Sequence, residues 1–273
     1  MTRVIYSFCI DIPEEELDIF DRDVLKKDEV PRNIITKNET INYTNDEILS
    51  FDDKISLKDL SFNYEGSRLK ILNQINLIIK KGDKIGLLGK SGSGKTTFVN
   101  ILSGLLQPTE GSIEIDNKKL NSNLSTYQKS IGYIPQDVYL FDDTIRNNII
   151  LNQKDSNISI KKLNYAIDKS QIKEFLSSLE CGLNTIIGNK GIKISGGQRQ
   201  RIGIARALYN DVQIIILDEA TNALDDANEN LIITEILENL TNKTIVVISH
   251  NLKTLQKCER ILRIENGEIY EKN

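Results

Sequence analysis

Short alternating runs of apolar residues open the main part of this chain, and unbroken apolar blocks follow later. The two patterns predict two kinds of strand. Ile55 and Leu57, then Leu60, Phe62 and Tyr64, alternate with polar neighbours. Ile75, Leu77 and Ile79 repeat that period of two before Lys80, Lys81, Gly82 and Asp83 turn the chain, and Gly111 to Asp116 adds a further stretch. Strands of this kind bury one face, so they predict a half-exposed, largely antiparallel sheet. Ile214 to Leu217 and Thr244 to Ile248 are continuous apolar runs instead, the pattern of parallel strands covered on both sides. Lys84 to Leu88 reads as another strand. Helical periodicity is expected over Phe98 to Leu106, Ala166 to Leu179, Gly196 to Leu208 and Glu229 to Leu240. The fold class is α/β.

Residues 1–50 carry a different pattern. After Pro13 the acids Glu14, Glu15 and Glu16 occupy the first turn of a predicted short helix with a thin stripe of Leu17, Phe20, Val24 and Leu25. Asn33 to Asn45 has no clear period and reads as linker, which places the start of the main domain near Phe51. The 273 residues, 39% of them apolar, suffice for one large or two small domains with a real core. No apolar run approaches the roughly 18 residues of a membrane helix, so the chain is not expected to span a membrane. A net charge of −4 opposes general nucleic-acid binding. Pairs such as Lys80-Lys81, Lys118-Lys119 and Lys161-Lys162 are expected on solvated surface. Cys9, Cys181 and Cys258 are widely spaced and odd in number, as free thiols in a reducing compartment would be. The single histidine, His250, excludes a histidine-rich metal site.

Three segments carry chemistry. Gly89 to Thr96 fits G-x-x-x-x-G-K-[ST] between a predicted strand and a predicted helix. In such a loop glycines let backbone N–H groups turn toward phosphate oxygens, Lys95 adds a point charge, and the Thr96 hydroxyl can ligate Mg²⁺. The helix start adds its positive dipole end. Asp218 and Glu219 end a buried strand, where α/β folds place ligands. Asp218 suits a metal opposite a phosphate loop, whereas Glu219, on the other side of the strand, suits proton abstraction from water. Ser195-Gly196-Gly197-Gln198 opens a predicted helix with a capping box. Capping alone leaves unexplained two consecutive glycines in the first turn, each costing up to about 1 kcal/mol against alanine. Close approach of a phosphate or another backbone would explain them.

Taken in order, these segments resemble those of the ATP-binding cassette (ABC) ATPases, over residues 51 to 273. Gly89 to Thr96 is similar to Walker A, Ile214 to Glu219 to Walker B, Ser195 to Gln198 to the signature, and Ala223-Leu224-Asp225 to the D-loop. Gln136 resembles the Q-loop glutamine, His250 the switch histidine, and Tyr64 the aromatic that stacks on adenine. The resemblance implies a P-loop NTPase fold: a RecA-like parallel core, an antiparallel β subdomain, and a helical subdomain inserted between Gln136 and about Leu208. It implies ATP and Mg²⁺ as ligands, with Glu219, His250 and Gln136 in catalysis. Gly89, Ser91, Gly92, Gly94, Lys95, Thr96 and Thr97 would bind nucleotide with Tyr64, and Thr96, Gln136 and Asp218 would hold the metal. Ser195, Gly196, Gly197, Gln198 and Asp225 would act across a head-to-tail pair of cassettes.

Asp137 to Ile149 resembles the exporter segment that meets the membrane domain, and Thr185 to Gly191 the exporter X-loop, with Asn189 where that loop usually carries Glu. Residues 3 to 20 resemble the end of an exporter's last membrane helix and its linker. The implied partners are a second cassette in a homodimer and the transmembrane domain of an exporter, with no nucleic acid. The implied location is the cytoplasmic face of a membrane. Similarity of Tyr139 to Asn148, Cys258-Glu259-Arg260 and Glu265-Asn266-Gly267 to oligosaccharide-lipid flippases suggests a lipid-linked glycan or related lipid as cargo, with export of a lipid, peptide or drug as the alternatives. Two alternatives are a truncated nucleotide-binding module uncoupled from transport and a soluble ABC ATPase of DNA repair or translation. The latter would carry a long coiled coil or a second cassette.

Overall fold

The computed structural model describes residues 51–67, 69–120, 124–151, 158–188, 192, 194–218, 226–249 and 251–272. The helix and linker expected before Phe51 lie outside the described residues.

The alternating runs form an antiparallel sheet ordered β2-β1-β4-β5, built from β1 (Lys54–Phe62), β2 (Leu72–Lys80), β4 (Glu110–Ile115) and β5 (Lys118–Lys119). In β2 the period of two holds from Ile75 to Ile79, where Ile75, Leu77 and Ile79 all point inward, and it shifts before that at Gln74, whose φ is 47°. In β1 it does not hold, because Leu57 and Leu60 are three apart and yet both buried. A bulge resolves this: the register with β2 shifts between those two residues, and Asp59 takes a positive φ of 46°. One extra residue there returns Leu60 to the inner face. Tyr64, expected to extend this alternation, lies past the end of β1.

The continuous runs form a second sheet, ordered β12-β11-β3-β10-β9-β6. Its parallel members are β3 (Lys84–Leu88), β6 (Ile131–Ile134), β9 (Ile214–Asp218), β10 (Thr244–Ile248) and β11 (Arg260–Glu265), with β12 (Glu268–Lys272) antiparallel at the edge. Side chains alternate across it. Ile215, Leu217, Ile245 and Val247 enter one core, whereas Ile214, Ile216, Val246 and Ile248 enter another. The second core closes against the antiparallel sheet and helix α1 (Lys95–Leu102). A short α2 (Leu124–Lys129) places Tyr127 in it, with its hydroxyl donating to Leu102 O at 2.7 Å.

The first core belongs to the helical part: α3 (Ile145–Ile150), α4 (Ile160–Lys169), α5 (Lys173–Ser177), α6 (Gly196–Tyr209) and α7 (Asp226–Asn239), with α8 (Leu252–Leu255) near the chain end. Several helix limits differ from expectation. The run Phe98 to Leu106 is helical from Lys95 and stops at Ser103, whose N–H bonds back to Val99 O. Ala166 to Leu179 is two helices, broken at Gln171 with a φ of 56°. The expected lysine pairs are exposed. Cys181 is an exposed free thiol, and Cys258 a buried one whose pKa burial, aided by Glu259, pushes up to about 12. Among the described residues no helix is long and apolar enough to cross a membrane.

Candidate functional site

Strand β3 is held between β10 and β11 in the sheet, so the loop after Leu88 leaves from a fixed edge. Gly92 and Gly94 take φ of 75° and 102°, values that L-residues with a Cβ rarely adopt. They turn the loop back on itself. Gly94 is the N-cap of α1 and no side chain caps that helix, so its positive end meets a ligand without a competing cap. Lys95 is buried, and its ammonium folds back to donate to Gly89 O at 2.8 Å and Lys90 O at 3.0 Å. Within the same loop Ser93 Oγ is buried with no hydrogen-bond partner, a polar atom that an oxyanion in the loop would satisfy.

Past β1, Tyr64 forms a wall facing this loop. Its ring meets Phe62 edge-on, with centroids 5.0 Å apart, and its hydroxyl lies 3.2 Å from Thr97 Oγ1 in α1. The ring is thereby oriented by a core neighbour and tied to the helix that follows the phosphate loop. Even so it keeps 36% of its surface exposed, as a stacking platform requires.

The opposite wall follows from strand pairing. In the parallel register Ile134 of β6 lies beside Leu217 of β9, so the chain after both strands leaves at the same end of the sheet, and Gln136 and Asp218 both reach the cavity there. Tyr133, at the end of β6, donates its hydroxyl to the Asp218 carboxylate. Tyr64, Lys95, Thr96, Thr97, Gln136 and Asp218 line one cavity of about 480 Å³, together with Ser91, Gly92, Gly94 and Ile71. That volume lies in the range of small-ligand sites. Hydroxyl, amide and carboxylate oxygens are the hard donors that Mg²⁺ prefers, and the uncapped helix start and lysine suit phosphates, so the residues fit a magnesium nucleotide. Among the described residues no group of three or more His, Cys, Asp or Glu could hold a metal in another way.

The remaining expected residues divide in two. Ser195 and Gln198 form the capping box in full: Ser195 Oγ accepts from Gln198 N at 3.2 Å, and Gln198 Oε1 accepts from Ser195 N at 2.8 Å. This turn is not part of the cavity wall, and Ser195 is exposed. Gly89 is also absent from the wall but anchors the Lys95 ammonium. Glu219, Asp225, His250 and Asn189 lie outside the described residues. Two residues went unforeseen. Ile71 gave no signal beyond being apolar, whereas Ser93 was marked by its place inside the glycine-rich pattern.

Residues 72–222 match the family model described as ABC transporter. The chain is 38% identical over 220 residues to an ATP-dependent lipid A-core flippase of Vibrio vulnificus (strain YJ016), covering 80% of this chain and 38% of the relative. It is 40% identical over 222 residues to ABC transporter B family member 29, chloroplastic, of Arabidopsis thaliana, covering 81% and 35%. With the leukotoxin translocation ATP-binding protein LktB of Mannheimia glucosida it shares 40% over 218 residues, covering 80% and 30%. Among solved structures, a bacterial Atm1-family ABC exporter with ATP bound superposes with a TM-score of 0.71 at 30% identity, covering 81% of this chain and 39% of that one. The chain thus spans less than two fifths of the length of each of these proteins.

Proposed function

The chain belongs to the ABC transporter family, and from that premise we propose that it is the nucleotide-binding cassette of an exporter, hydrolysing MgATP to drive transport by a membrane domain. The observation that carries this reading is the cavity in which Tyr64, Lys95, Thr96, Gln136 and Asp218, from separate parts of the chain, converge. Adenine stacks on Tyr64, and the phosphates enter the loop between Gly89 and Thr97. Lys95 exchanges its bonds to Gly89 and Lys90 carbonyls for charge-assisted bonds to phosphate oxygens. Thr96, Gln136 and Asp218 would hold Mg²⁺, which would supply positive charge against the phosphates.

Glu219, the residue after Asp218 in the sequence, takes the proton of the attacking water. His250 positions that water or stabilises the outer phosphate. Two cassettes face head to tail, so that Ser195, Gly196, Gly197, Gln198 and Asp225 of one complete the site of the other. The pair works at the cytoplasmic face of a membrane. A lipid or lipid-linked glycan is the cargo class we favour, supported by the likeness to lipid A-core flippases. The likeness to leukotoxin translocation proteins makes a toxin the competing cargo. Replacing Lys95 with Ala tests the site: tight MgATP binding should vanish in calorimetry, because the loop keeps backbone donors but loses its cation. Undiminished affinity would remove the phosphate-loop assignment.

A further inference from the structure

One contact acts on a residue of the cavity wall from behind. Tyr133 does not line the cavity, yet its hydroxyl donates to Asp218 Oδ2. Strand parity explains the meeting. Tyr133 of β6 lies beside Ile216 of β9, and both side chains pack into the core that closes against α1. Asp218, two residues on from Ile216, falls on that same face, toward the phosphate loop. The last torsion of an aspartate is broad, so a carboxylate at a strand end can turn its plane at little cost. The hydroxyl removes that freedom.

The donor is itself firmly held. A tyrosine hydroxyl is carried on two torsions only, and this ring is half-buried against the core. Its backbone belongs to the sheet, within the ladder that joins Ile131 to Ile134 with Ile214 to Leu217. Gln136, the wall residue that follows β6, has no such footing. It lies past the strand, on chain that leads to a separate ribbon of β7 (Asp143–Thr144) and β8 (Ile186–Ile187). Of these two oxygen donors, Asp218 is the one whose direction the sheet fixes.

The consequence lies in which cation such a carboxylate suits. Mg²⁺ keeps several waters and demands strict octahedral angles, whereas the larger Ca²⁺ accepts more oxygens and readily takes both oxygens of one carboxylate. A carboxylate fixed in plane, with Oδ2 already accepting a hydrogen bond, makes a chelating cation share that oxygen with the hydroxyl. We propose that Tyr133 is a positioning residue that sets the metal preference of the site, turning Asp218 toward a small cation bound through one carboxylate oxygen and against a larger one that chelates both. The proposal rests on the reading that Asp218 holds the metal of a bound nucleotide.

Calorimetry of the full chain with metal-free ATP, MgATP and CaATP tests it. Tyr133→Phe keeps the ring and its packing and deletes only the hydroxyl. Metal-free affinity should match the parent, MgATP affinity should fall by about tenfold, and CaATP affinity should hold or rise, so that the preference for Mg²⁺ over Ca²⁺ shrinks by about tenfold or more. An unchanged preference, with MgATP and CaATP altered equally or not at all, would overturn the proposal. So would an equal loss with metal-free ATP, which would mean that the hydroxyl only braces the fold. Asp218→Asn, measured in parallel, separates this proposal from the reading beneath it. If Asp218→Asn abolishes the distinction between the two metals while Tyr133→Phe preserves it, the positioning role alone falls. If Asp218→Asn leaves all three affinities as in the parent, Asp218 holds no metal, and the assignment of the site falls together with the role of Tyr133.

Discussion

Two helices of this chain begin on glycine-rich turns, and their starts are built in opposite ways. At α1 the N-cap is Gly94 in a left-handed conformation, no side chain closes the turn, and the helix opens into the cavity. At α6 the N-cap is Ser195, and the reciprocal bonds with Gln198 close the turn from within. The glycines differ as well. Gly92 and Gly94 are required by their positive φ, whereas Gly196 and Gly197 lie inside a regular helix, where each costs up to about 1 kcal/mol against alanine. At α1 the helix end without a side-chain cap lies at this chain's own cavity. At α6 the turn is already satisfied and exposed, so glycine's cost there is offset only if something from outside approaches the backbone closely. A free phosphate competes poorly with an intact capping box. One presented on the rigid surface of a second cassette does not face the same entropic cost.

The largest expected effect separates the two starts by chemistry. Glu219→Gln keeps the size and shape of the side chain but cannot accept a proton, so hydrolysis should fall by about 10² to 10⁴ while binding at the α1 start survives. Nucleotide that persists should hold two cassettes together, giving a dimer in size-exclusion chromatography with MgATP. Adding Ser195→Arg should return the protein to monomer by blocking the α6 start alone. A nucleotide-loaded single variant that stays monomeric at high concentration would break the comparison, leaving α6 with a structural cap and no external ligand.

How far these features could be read beforehand depended on whether the pattern and the fold shared a period. The runs at Ile214 and Thr244 were legible because a strand buried on both faces needs apolar residues at every position. The phosphate loop was legible because its glycines and lysine stand in fixed order along the chain. The break at Gln171 was not, since Leu163, Ala166 and Ile167 before it and Ile172 after it all enter one core and sustain the apolar period. Helix α3 was hidden for a different reason. Its buried Asn148 owes its place to hydrogen bonds with the turn just before it, and no periodicity announces them. The hydroxyl contact from Tyr64 to Thr97 is a product of tertiary approach, invisible from spacing.

That contact sharpens the α1 side. Removing the ring in Tyr64→Ala should weaken ATP binding by about 1 to 3 kcal/mol, the range of base-aromatic stacking. Tyr64→Phe keeps the ring and loses only the bond to Thr97, so about 0.5 to 1.5 kcal/mol is expected. Calorimetry of both variants distinguishes platform from anchor. Equal losses would mean that the hydroxyl, through α1, matters more than the aromatic face.

The smallest effect tests whether the α6 start is independent of the cavity within one chain. Ser195→Ala deletes the cap oxygen that accepts from Gln198 N, which should lower stability by about 1 kcal/mol. For a domain of this size that is a fall of roughly 2 to 4 °C in the melting midpoint. Affinity of the monomer for MgATP should stay within about twofold, because the cavity walls come from α1 and the strand ends and not from this turn. The gain in melting midpoint on adding MgATP should therefore be the same in the variant and the parent. Measured at protein concentrations too low for pairing, a larger loss of affinity would place Ser195 in the site of its own chain. The two helix starts would then serve one phosphate group together, and the division of labour between an uncapped start and a self-capped one would not hold.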